Sequence, residues 1–266
     1  MSAAARTAAT AAIRPPSRLG VYLLEARYET LKNLRLPMYA IPTVAFPLVF
    51  YALFGFALRG KGSFDMATYL LATYGAFGVI GASFFGFGVG VAVERGQGWM
   101  LLKRATPMPA GAMLFARTVM ALGFSLAIVL GLFALGAAFG GVRLPAAGWW
   151  SLGAVLVAGA VPFCALGLAL GYLAGPNSAV AVVNLIYLPT AFLSGLWVPV
   201  QALPGWMQAI APWLPPYHLG ELALRQVGMP GREPVAQAVA YLAALTAVSL
   251  AVAAWAYRRD EGKTYG

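Results

Sequence analysis

Charge is what this sequence has least of. Only 10% of its 266 residues are Asp, Glu, Lys or Arg, and just 8 of them are acidic. Soluble domains carry about 25% charged residues, so a water-solvated globule is excluded. Cysteine and histidine are nearly absent too, with one of each. The single Cys164 cannot close an internal disulfide or a cysteine-pair metal site, and its apolar neighbours mark it as a small buried hydrophobe. The single His218 excludes a two-histidine metal centre within the chain. A nucleotide signature is missing as well. Gly55, Gly60 and Lys61 imitate the start of a phosphate loop, but Gly62 stands where Ser or Thr must hold magnesium. Gly86, Gly88 and Gly90 lack the strand–turn–helix setting of a dinucleotide site. We expect no metal, no cofactor and no catalytic residue on this chain. No apolar run contains an evident buried carboxylate of the kind ion-coupled carriers use.

What is present is long apolar sequence. Hydrophobic residues make up 61% of the chain and the mean hydropathy is +0.77. The runs lack strict alternation and approach the roughly 20 residues a bilayer requires, which favours helices over a barrel. The sequence predicts an all-α integral membrane protein with six spans, near 38–58, 69–93, 114–139, 149–173, 179–198 and 235–257. Residues 1–17, with Ala, Thr and Arg but no acid, read as a disordered tail, and 259–266 as a second tail. Residues 18–36 read as an amphipathic interfacial helix. Arg18, Glu25, Glu29 and Lys32 share one face, and Leu19, Leu23, Leu31 and Leu34 lie roughly opposite, with Arg27 interrupting the apolar side.

The net charge of +10 suits basic residues holding loops in the cytoplasm better than it suits nucleic acid. With the N-terminus inside, 13 of the 18 Lys and Arg fall on the inner side, Arg117 among them, and Arg59, Lys61, Arg143, Arg225 and Arg232 fall outside. Both termini are thus expected in the cytoplasm of a multi-pass inner (plasma) membrane protein. In the second span Gly78, Ala82, Gly86 and Gly90 recur every four residues, a ridge that lets helices approach closely. Gly167, Gly171 and Gly175 repeat it in the fourth. Asn177 and Asn184 are candidates for hydrogen bonds between helices.

Two polar or broken stretches remain. Residues 193–225 are apolar and aromatic yet interrupted by Pro199, Pro204, Pro212, Pro215 and Pro216. They read as a re-entrant helical hairpin on the outer side, with Trp197, Trp206, Trp213 and Tyr217 at the membrane boundary. Glu221 and Arg225, four apart, are placed to pair locally. His218 reads as an interfacial hydrogen-bonding residue more readily than as a general base, which would need a partner. The other stretch, 94–109, is the most charged internal segment. It is too polar for lipid, and it joins two spans on the inner side.

These two stretches resemble those of the ABC type-2 transporter permeases. The first carries Glu94-Arg95-Gly96-Gln97-Gly98 and then Ala105-Thr106-Pro107-Met108. The second carries Leu193-Ser194-Gly195, Pro199, Ala202-Leu203-Pro204, Trp206, Pro212, Leu214-Pro215 and His218, Glu221 and Arg225. The resemblance implies a complex of two permeases, identical or paralogous, with two ABC ATPase subunits that bind the ATP and magnesium. It implies a coupling helix at Glu94, Arg95, Gly98, Trp99, Lys103, Arg104, Thr106 and Pro107, with 18–36 as a second ATPase contact. It implies an outer gate drawn from Trp197, Pro204, Trp206, His218, Glu221 and Arg225. The chain departs from the family pattern at Trp99, Leu101, Lys103 and Arg104, which implies a more acidic or more apolar groove on the ATPase. The expected function is ATP-driven export of a hydrophobic or amphipathic compound, or a glycan. A passive channel or secondary carrier, and a lipid-modifying enzyme using His218 and Glu221, are the alternatives.

Overall fold

The computed structural model describes residues 17–57, 65–99 and 108–261. It is all-helical over these residues. Helix α1 spans Arg18–Leu34, and the Ser17 hydroxyl caps it by accepting from the Gly20 amide at 3.1 Å. Pro37 opens α2, Pro37–Phe50, which runs through Pro42 and Pro47 into a π turn at Tyr51–Gly55. Asp65 caps α3, Met66–Ser83, at the Thr68 amide. A π turn at Phe84–Val89 joins α3 to α4, Gly90–Gly96, as one continuous helix of 31 residues. Next come α5, Ala110–Leu135, continued by a π turn at Gly136–Gly140, and α6, Ala146–Leu173. They are followed by α7, Ala179–Leu193; α8, Gly205–Ile210; α9, Pro215–Gln226; and α10, Val235–Glu261.

Among the described residues, five helices are long and apolar enough to cross a bilayer: Pro37–Gly55, Met66–Gly96, Gly111–Gly140, Ala146–Leu173 and Val235–Arg259. The span expected at 179–198 is the exception. Its helix α7 has 15 residues, about 22 Å at 1.5 Å per residue against a hydrocarbon core of about 30 Å. Ser194 ends it, and Gly195 takes a left-handed φ of +80° that turns the chain away.

Met66–Gly96 is the axis of the bundle. Its core is 78% buried, against 17% for Pro37–Gly55 and 22% for Val235–Arg259. Helices α5 and α6 flank it, and α9 lies against its first half. Glycine sets the spacing. A Cβ on Gly171 would fall 2.9 Å from the Gly88 and Phe87 carbonyl oxygens, so α6 meets the π turn backbone to backbone. The ridge glycines face the other way. Gly78 abuts Ile128 and Pro47, Gly86 abuts Met120 and the Tyr39 hydroxyl, and Gly90 abuts Arg117. Helix α1 buries part of its polar side: Glu29 and Asn33 face α5, while Leu19, Leu23, Leu24 and Leu34 point outward.

Candidate functional site

Charge is concentrated at two ends of the bundle. Tyr69 and Glu94 lie in the same helix, 25 residues or about 38 Å apart, and mark the two ends. At the Glu94 end, α1, α4 and α5 converge. The Glu94 carboxylate lies between Lys32 of α1, with Nζ–Oε1 at 2.5 Å, and the Arg117 guanidinium of α5, which pairs with Oε2. Lys32 also donates to both oxygens of Glu29, at 2.9 and 2.8 Å. Arg117 is 1% exposed. Its Nη1 donates to the Gly86 carbonyl in the π turn at 3.1 Å, and its Nη2 stands 3.9 Å from Glu29. The Asn33 amide donates to the Glu29 carbonyl at 2.9 Å. Among the described residues two carboxylates thus face two cations, and Lys32 is the most open to water of the four. A buried ion survives this desolvation only with such partners.

Arg117 corrects the expectation that it lies among loop-flanking charges. It is inside the bundle, and it makes Glu94 a buried carboxylate within a spanning helix. The reason is mutual neutralisation, which a scan of a single run cannot detect. A usable signal does exist: Arg117 stands two turns into the apolar helix α5, where an arginine needs a partner.

Arg95 fastens the same helix end to α6. Its Nη1 donates to the carbonyls of Gly171 and Tyr172 at 2.8 and 2.9 Å, and the guanidinium lies over the Tyr172 ring, 5.5 Å from its centre. These are C-terminal carbonyls without helical partners, where a cation also meets the helix dipole favourably. Gly96 packs on Pro176, where a Cβ would come within 2.5 Å. Gly98 then turns out at φ +74°, and Trp99 is 53% exposed. Lys103, Arg104, Thr106 and Pro107 lie outside the described residues.

At the opposite end the chain after α7 folds back into the bundle. Two single 3₁₀ turns, Val200–Ala202 and Ala211–Trp213, flank α8. Pro204 starts α8 and presents its carbonyl to the Met207 amide. Trp206 and Trp213 point outward, 60% and 76% exposed. Trp197 and Tyr217 were expected at the membrane boundary but are drawn inside. Trp197 lies 5.5 to 6.2 Å from the rings of Phe50, Phe77 and Phe192, and Tyr217 is buried. Helix α9 packs against α3, α6 and α10, and Tyr69 donates to the Gly195 carbonyl at 2.5 Å.

The charged residues of α9 do not pair with each other as expected for Glu221 and Arg225. They grip the loop that follows. Glu221 Oε2 accepts from the Arg232 amide at 2.6 Å, Arg225 donates to the Glu233 carbonyl, and His218 Nδ1 meets Glu233 Oε1 at 2.6 Å. The return of the loop after Gly228, φ +80°, supplies nearer partners than the helix does. Burial raises the Glu221 carboxyl above its ordinary range, offset in part by the Arg232 amide. Asn184 likewise bonds within its own helix, to the Val180 carbonyl at 3.0 Å. It lines a groove of about 270 Å³ between α2, α3 and α7. Tyr39, Phe46, Phe77, Phe85 and Tyr187 form the rest of its polarisable wall, with no charged side chain among the described residues.

Residues 22–226 match the family model described as ABC-2 type transporter. YvfS of Bacillus subtilis (strain 168), named a transport permease, is 33% identical over 181 residues, covering 66% of this chain and 72% of that protein. An all-helical bundle with several helices able to cross a bilayer, matched over most of its length by that family, identifies this chain as a membrane transport permease belonging to the ABC-2 type transporter family.

Proposed function

We propose that this chain is the membrane subunit of an ATP-driven exporter and that separate ATPase subunits push on the segment after Glu94. One observation carries the reading. Adjacent residues Glu94 and Arg95 fasten the root of that segment to three other helices, α1 and α5 through Glu94 and α6 through Arg95. A displacement at exposed Trp99 cannot be absorbed locally and is passed into the bundle. Lys103, Arg104, Thr106 and Pro107 complete the coupling segment, and α1 adds a second ATPase contact. The ATP and magnesium belong to the partner.

Both termini lie in the cytoplasm of the inner membrane in this reading, α7 with the turn after it completes a sixth crossing, and 193–225 forms the outer re-entrant gate. The working unit contains two permeases, and the groove between α2, α3 and α7 lines the path taken by a hydrophobic or amphipathic cargo. An apolar, aromatic, uncharged wall suits such a cargo better than a glycan. The enzyme alternative needs His218 and Glu221 poised on a substrate, whereas each is engaged by the loop 232–233.

Affinity purification of the full-length chain from its native membrane should bring down a nucleotide-hydrolysing subunit. Truncating an interface Trp costs about 2 kcal/mol or more, so Trp99→Ala should weaken that capture at least about tenfold and lower ATP-dependent transport with it. Capture of no ATPase, or labelling of Trp99→Cys by an impermeant reagent from outside, would overturn the proposal.

A further inference from the structure

The His218–Glu233 contact requires a proton. His218 Nε2 faces the Pro212 carbonyl at 3.0 Å. A carbonyl can only accept, so Nε2 carries hydrogen. Nδ1 faces a carboxylate oxygen at 2.6 Å, and that contact closes only with a second hydrogen between the two atoms. The pair therefore holds one proton more than neutral imidazole plus carboxylate. Without it, one N–H must serve two acceptors. The carboxylate is the stronger acceptor, so the Pro212 contact is the one lost.

Pro212 sits in the 3₁₀ turn Ala211–Trp213, whose Ala211 is buried against Val200 and Tyr217 while Trp213 points outward. Tyr241 of α10 donates to the Trp213 carbonyl at 2.6 Å and stacks on the His218 ring at 3.8 Å. Among the described residues, the other charged or titratable groups around the pair are Tyr217, Glu221 and Arg225 on α9, Arg232 on the loop and Tyr69 on α3.

We propose that the shared His218–Glu233 proton is a latch on the outer hairpin. While the pair holds the proton, α9, the loop after it and the Ala211–Trp213 turn are tied together. As pH rises and the proton leaves, the turn is released and the hairpin loosens. The word outer rests on the sidedness proposed above; the latch itself does not.

The test uses the full-length chain in nanodiscs, where both faces meet the same buffer, so sidedness cannot affect the result. Hydrogen exchange of residues 210–217 is expressed as protection factors, with the intrinsic pH effect divided out. Protection in the unaltered chain should fall roughly tenfold as pH rises through the loss of the proton, the size of one hydrogen bond. His218→Gln cannot donate to both acceptors and should show the low value at every pH. Glu233→Gln is the decisive arm. Its amide can donate to Nδ1 while neutral His218 keeps Nε2–H on Pro212, so protection should stay high and flat with pH. A pH-independent unaltered chain overturns the latch, and so does a Glu233→Gln chain that keeps the unaltered pH response.

Discussion

The two charged ends are wired in opposite ways. At the Glu94 end the contacts join residues far apart in sequence: Lys32 reaches Glu94 across 62 positions, and Arg117 reaches Gly86 across 31. At the hairpin end the charged contacts close over 15, 8 and 11 positions. The first arrangement couples helices that would otherwise slide independently. The second folds one segment onto itself. A segment tied internally can move as a unit against the bundle, whereas a clamp across three helices cannot yield at one point alone. That difference suits one end to receiving a push and the other to opening.

The sharpest way to break the comparison is Arg117→Ala. It removes the buried guanidinium that faces Glu94 and Glu29, and removing one partner of a buried pair costs about 3–5 kcal/mol. Thermal unfolding in detergent should shift down accordingly, and Glu94→Gln in the same background should recover part of the loss. Equal destabilisation in the single and double variants would mean that the clamp does not act as a unit.

The hairpin end has long-range ties of its own: Tyr69 reaches Gly195 across 126 positions and Tyr241 reaches Trp213 across 28. Tyr69→Phe removes the hydrogen bond to Gly195 and should cost about 1 kcal/mol. Exchange should rise around 194–203 while the Glu94 end keeps its protection. If both ends loosen together, the hairpin is not a separable segment.

The sequence makes the helices and the loop position legible because hydropathy and length are properties of single runs. Met66–Gly96 stands out as apolar whatever surrounds it. The clamp was not legible in the same way. Glu29 and Asn33 mark a polar face on α1, but only a buried arginine from α5 decides that this face turns inward. Counting Arg117 with the inner charges placed it near the right end of the helix and missed its burial. Glu221 and Arg225 failed for a related reason. Helical spacing permits their pairing, yet the chain returns after Gly228 with backbone partners that spacing cannot see. Helix α7 stops at Leu193, short of the expected 198, because the chain turns at Gly195 with a positive φ that hydropathy does not register. Lys103, Arg104, Thr106 and Pro107 fall outside the described residues.

The smallest expected effect concerns Glu221. Its folded carboxyl is raised by burial, so the folded chain holds this proton more tightly than the unfolded chain. Stability therefore falls as pH rises from the ordinary carboxylate range up through the raised value, and it is recovered on acidification. Glu221→Gln removes the titration and keeps an oxygen that can accept from the Arg232 amide. The unfolding midpoint of the variant should lose that part of the pH slope and differ little from the unaltered chain at low pH. The Glu94 end supplies the contrast, since Glu94 and Glu29 face cations directly and a carboxylate there is matched by charge. Should Glu221→Gln leave the slope untouched, the hairpin's acid lies in water more than its burial implies. The local wiring of that end would then rest on His218 and Arg225 alone.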